Sequence, residues 1–267
     1  MATFYSLANQ TAKTKLAGAG LFLLLLVGPA CAEDKSKIYY GRAEKEFLRA
    51  QAQFQSATNN ATNAWLYARA CFELTELATN KTQRADIARL GIAACRQALV
   101  QDPKSAPAHY YLAMNCGWLA DAQAPSLASY LLVHEIESEF KTAAALDEHF
   151  EFAGAVRNLG LLYFQAPGWP ISVGNKRKAR EWLERAATLA PDYPESLLNL
   201  AEAQLQWRQA EDAEKTLKKL DACWPAALTN LTGTAWEPSW DDWQHRRQVA
   251  KTESARLTQG KKLREAR

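Results

Sequence analysis

Residues 178–204 read KAREWLERAATLAPDYPESLLNLAEAQ. A small residue, Ala179, is followed four positions on by Leu183 and eight further on by Pro191. The same spacing recurs at Gly91–Cys95–Pro103 and Ala213–Leu217–Pro225, and Ala43–Phe47–Ala50 is a partial copy without the proline. Leu200-Ala201 lies upstream of the last copy, and Leu159-Gly160 with Tyr163 upstream of the one before it. Small residues let two helices approach closely, the apolar residue fills the space between them, and the proline stops the second helix. The pattern therefore predicts units of two antiparallel helices. One such unit cannot bury its own apolar face, so the units must stack.

Working outward, Ala, Leu, Glu, Lys, Gln and Arg dominate and apolar positions recur at helical spacing. We expect about ten helices and no strands. The expected helices cover 35–56, 61–79 and 82–101, and a second unit runs from His109 to Leu146. A third unit runs from Phe152 to Pro191 and a fourth from Pro194 to Pro225. The third unit carries an insertion, Ala166-Pro167-Gly168-Trp169-Pro170-Ile171-Ser172-Val173-Gly174, whose prolines and glycines forbid continuous helix. After Pro225 a loop is expected at 229–237. Ser239-Trp240-Asp241-Asp242 reads as a capping box opening a last helix at 240–257, before a basic tail at 261–267.

At the other end, Lys13 and Lys15 precede an apolar run, Leu16–Val27, too short to span a membrane. Residues 1–32 read as a secretory signal. Ala30-Cys31-Ala32 sets cleavage before Glu33, and lipid attachment at Cys31 is the rival. The expected domains are signal 1–32, capping helix 33–60, repeats 61–225, and a C-terminal loop, capping helix and tail at 226–267. The chain is expected to be exported, periplasmic or secreted, with no membrane span after the signal. The formal charge of +3 falls to +1 once Lys13 and Lys15 are removed, which gives no electrostatic case for nucleic acid.

The spacing resembles the tetratricopeptide repeat. Leu159-Gly160-Leu161-Leu162-Tyr163, the Ala-Pro-Gly-Trp-Pro run, Lys178-Ala179-Arg180, Leu189-Ala190-Pro191 and Asn199-Leu200-Ala201-Glu202-Ala203 are also similar to the T-component family of TRAP transporters, as is the His109–Asn115 run. Beside the all-α tetratricopeptide-like solenoid expected from the repeats, that resemblance implies an all-α periplasmic protein that associates with a solute-binding protein and forms an oligomer. It also implies a hydrophobic channel.

Chemistry is weakly signalled. His109, His134, His149 and His245 form no metal or catalytic pattern, and no nucleophile elbow, phosphate loop or dinucleotide fingerprint occurs. The protein is therefore expected to be a binding module, not an enzyme, and no cofactor is expected. Asn158 and Asn199 each lie two before the small residue of a first helix. An amide there can pair with an extended peptide, or can cap or bridge neighbouring helices. With Tyr110, Tyr111, Arg157, Leu198, Glu202 and the loop residue Trp169 they form the expected partner surface. Trp169 could instead fold back and seal the third unit. Four cysteines follow the signal, with Cys95–Cys116 as the candidate disulfide and buried reduced thiols as the alternative. A carrier of a small apolar ligand is the second functional reading.

Overall fold

The computed structural model describes residues 29–265, and side chains for residues 35–261. The expected signal at 1–32 lies largely outside the described residues. The described residues form ten helices and no strand, divided into two compact units, one up to Asp147 and one from Glu148 onward.

The first unit contains α1 (Pro29–Ser56), α2 (Ala61–Leu77), α3 (Lys81–Gln101), α4 (Ala106–Ala122) and α5 (Leu127–Leu146). Helices α2 and α3 pair, α4 and α5 pair, α1 packs on α2, and α4 bridges the two helices of the preceding pair. The starts of α2, α3, α4 and α5 are set by polar caps. Asn60 Oδ1 accepts from Asn63 N–H, Asn80 Oδ1 from Gln83 N–H, and Ser126 and Ser129 form a reciprocal box. Tyr67, Phe72, Tyr111 and Phe140 fill the interior.

The second unit contains α6 (Phe150–Gln165), α7 (Lys176–Leu189), α8 (Pro194–Gln206), α9 (Ala210–Asn230) and α10 (Glu237–Glu265). Here α6 pairs with α7, α8 with α9, and α10 packs on both helices of the last pair. The all-α architecture of stacked antiparallel helix pairs is thus the one the repeated spacing predicts.

The motif residues act as the spacing requires. Ala179, Leu183, Ala213 and Cys95 are fully buried. A Cβ added at Gly160 would stand 2.7 Å from Leu183 Cγ and 3.0 Å from Leu183 N, so α6 and α7 touch at a point with no room for a methyl group. We expect Gly160→Ala to destabilise the protein by about 1–3 kcal/mol through overpacking. Chemical denaturation measures it, and an unchanged midpoint would show that α6 and α7 can separate at no cost.

Three local expectations are corrected. Pro225 does not end its helix but lies inside α9, which runs on to Asn230. The missing N–H is outweighed by burial of Trp224, Ala227 and Leu231 on either side of it, and Trp224 packs edge-on against Trp240 at 5.2 Å. Helix α10 starts at Glu237 and ends at Glu265, so Ser239 is inside the first turn and not a cap, and most of the expected tail is helical. Helix α1 starts at Pro29, six residues before its expected position, so the expected cleavage point lies inside it.

Candidate functional site

Seven of the eight expected contact residues lie in the interior. Tyr111 stacks on Trp65 at 6.1 Å and Tyr110 packs at a tilt against Phe140 at 5.9 Å, both as packing groups of the first unit. Arg157, Asn158, Leu198 and Asn199 are buried and Glu202 is largely so. This corrects the open-groove expectation. The asparagines follow the bridging alternative, because Asn158 Nδ2 donates to the Gly154 carbonyl one turn back and Asn199 meets Arg246 of α10.

These side chains build a buried charge network. Arg246, 3% exposed, donates from Nε and Nη2 to the two oxygens of Glu202 at 3.0 and 2.8 Å. Its Nη2 also donates to Asn199 Oδ1 at 2.5 Å, and its Nη1 to Asp242 at 3.1 Å and lies 3.6 Å from Glu195. Glu195 accepts from the Tyr193 hydroxyl at 3.0 Å and has Arg157 Nε 3.9 Å away. Burial pushes the Glu195 carboxyl above its ordinary range, with Arg157 and Arg246 opposing the shift. Burial pulls the Arg246 guanidinium down, but its carboxylates outweigh that and hold it well above its ordinary value.

The same network clamps an unusual turn. Glu151, Phe152 and Ala153 have φ of 52°, 55° and 57°, one left-handed turn that costs about 1–2 kcal/mol per residue. Arg157 Nη1 donates to the Phe152 carbonyl at 2.7 Å, and its guanidinium lies 4.9 Å over the Tyr193 ring. The Phe152 ring stacks on the same Tyr193 at 4.5 Å. Glu195, Tyr193 and Arg246 were not singled out from sequence. Asp-Tyr-Pro-Glu at 192–195 is a visible signal for the first two, whereas nothing in the local sequence sets Arg246 apart from Arg247 beside it.

Trp169 is the exception, 89% exposed, with Ile171 beside it at 64%. It does not fold back into the third unit. Gly174 N–H donates to the Pro167 carbonyl at 2.9 Å, Ile171 N–H to Gly168 at 3.0 Å, and Asn175 N–H to Tyr163 at 2.8 Å, which closes the loop tightly. A Cβ at Gly174 would sit 2.0 Å from the Ala166 carbonyl oxygen, so that close approach requires glycine. Asn175 Oδ1 then caps α7 by accepting from Lys178 N–H at 3.0 Å.

The candidate disulfide is also corrected. Cys71, Cys95, Cys116 and Cys223 are free, buried thiols. Burial pushes Cys71 up to about 12, Cys223 up to about 11, and Cys95 and Cys116 well up, so none supplies a thiolate near neutral pH. Among the described residues no group of three or more His, Cys, Asp or Glu could hold a metal ion. The groove over α8 has Leu197 and Leu200 on its floor and a mixed rim of Glu184, Asp192, Lys215 and Lys219.

The fold and these interiors define an all-α helical-repeat protein with tetratricopeptide-like helix pairs. Residues 173–223 match the family model described as tetratricopeptide repeat, and residues 33–149 match the model described as regulator of microtubule dynamics protein 1-3. No curated protein gives a significant match. Two solved structures similar to the chain are both described as crystal structures of MamA. One is 16% identical, covers 78% of this chain and 99% of that one, and has a TM-score of 0.47. The other is 17% identical, covers 75% and 98%, and has a TM-score of 0.43.

Proposed function

We propose that the protein is an exported scaffold for protein–protein interaction, and that its partner is the periplasmic solute-binding component of a TRAP-type transporter. The observation that supports a protein contact is an uncovered apolar stripe on α5. Leu127, Tyr130 and Leu131, at i, i+3 and i+4, are all exposed, Leu127 by 76% and Leu131 by 65%. The lone cation of that helix, Lys141, is paired with Glu137, so the stripe has no cationic collar and suits a protein face. The solute-binding identity of the partner rests on the sequence resemblance.

The test is capture of a solute-binding protein by the purified chain, with Leu127→Gln/Leu131→Gln as the variant. Glutamine keeps the helix and removes the apolar surface. Stability should move by no more than about 0.5 kcal/mol per site, while affinity should fall at least about ten-fold, or about 1.4 kcal/mol. Equal retention by both proteins would remove the α5 stripe as the contact, and release of an organic molecule on denaturation with no protein retained would sink the scaffold reading and favour the ligand carrier.

A further inference from the structure

We propose that the edge carrying the 166–175 loop docks on an anionic lipid surface, with Trp169 and Ile171 entering the headgroup region and a collar of cations meeting the lipid charge. This edge belongs to the second unit, whereas the α5 stripe belongs to the first, and the proposal goes beyond the scaffold reading.

Three observations carry it. The loop ends in an outward spike, Trp169-Pro170-Ile171, exposed at all three positions. A protein partner generally meets such an anchor through a pocket, whereas a bilayer accepts a protruding indole at its interface, where tryptophan is enriched. The spike is stiff. The Gly174–Pro167 and Asn175–Tyr163 hydrogen bonds close the loop at its base, so little ordering is needed on docking.

The third observation is charge. Lys176, Arg177, Lys178 and Arg180 follow the spike immediately, and residues 166–180 contain no acid. Lys176 and Arg180 both lie 5.4 Å over the Trp207 ring, which brings the exposed Arg208 to the same edge. Lys178 sits 4.9 Å over the Tyr163 ring. None of these five cations has a carboxylate within ion-pair distance among the described residues, unlike Arg185, which pairs with Glu148. An apolar spike followed directly in the chain by unneutralised cations matches the two-signal requirement for peripheral attachment, apolar insertion plus electrostatic attraction.

Co-sedimentation of the purified full chain with phosphatidylcholine vesicles, with and without about 30% phosphatidylserine, tests the assignment at ionic strengths on either side of strong screening. Binding should need phosphatidylserine and vanish at high salt. Trp169→Ala should lower the partition coefficient about ten-fold or more, and Lys176→Ala/Arg177→Ala by roughly 25-fold, about five-fold per cation. All proteins share the same N-terminal segment, so the differences read the edge alone, and unchanged thermal melting shows that each variant is folded. Equal binding of wild type and Trp169→Ala, or no preference for phosphatidylserine, overturns the proposal. Loss of a captured protein by Trp169→Ala without vesicle binding would make this edge a protein contact, again overturning it while leaving the scaffold reading in place.

Discussion

Arg246→Ala is expected to destabilise the protein by about 3–5 kcal/mol, the usual consequence of removing one partner from a buried ion pair. The variant leaves Glu202, Asn199 and the buried Glu195 without their guanidinium. The sign of the pH dependence follows from Glu195. Its folded carboxyl titrates above the ordinary range because of burial, so its contribution is most favourable below the unfolded value and is lost as pH rises through the raised one. Removing Arg246 takes away an opposing charge and raises that carboxyl further. The deficit of Arg246→Ala should therefore shrink on acidification, because a protonated Glu195 no longer needs the cation. Denaturant unfolding of both proteins at neutral and mildly acidic pH checks this, and a deficit that grows on acidification would show that Glu195 is not the orphaned group.

Trp243→Ala should cost a similar amount, about 3–5 kcal/mol, for a different reason. Trp243 is 1% exposed and is the largest fully buried side chain among the described residues. It packs edge-on against Tyr193 at 5.4 Å and Trp240 at 5.0 Å, and against Trp236 at 5.9 Å. These contacts join α8, the loop before α10 and α10 itself. Truncation removes the transfer energy of an indole and leaves a cavity that the surrounding rings cannot fill by rotamer change. Trp240→Ala is the milder control, because Trp240 is only partly buried, although its Nε1–H donates to the Leu231 carbonyl at 2.8 Å. Equal losses from the two variants would show that the cluster collapses without cost.

The helix pairs were legible because their signal is local and repeated. Ala179, Leu183 and Ala213 sit where their spacing places them, and Pro103 and Pro191 follow helix ends. Pro225 misled because the packing of Trp224 and Ala227 overrides a local stop signal. The asparagines misled for a related reason. Helical spacing places Asn199 on one side of α8, but whether that side faces water depends on α10, and Arg246 arrives there from 47 residues away in sequence. Cys95 and Cys116 are both buried, but burial does not bring two sulfurs into bonding geometry, which depends on the separation and direction of their Cα–Cβ bonds. Trp169 stood out because two prolines and two glycines isolate it from any helical pattern, and its exposure follows from that isolation.

Arrays of helical pairs are usually regarded as interchangeable bricks, to which a unit can be added or removed without harm. The ion lock at the end of this chain breaks that equivalence. A duplicated α8–α9 pair placed before α10 would preserve the lock only if the copy beside α10 kept Glu195, Asn199 and Glu202. A generic pair, with apolar or uncharged residues there, would strand Arg246 in the interior. The pair beside α10 is thereby set apart from the others: turns, outer faces and even the number of units can vary, but whichever pair abuts α10 must present the two carboxylates and the amide that receive Arg246.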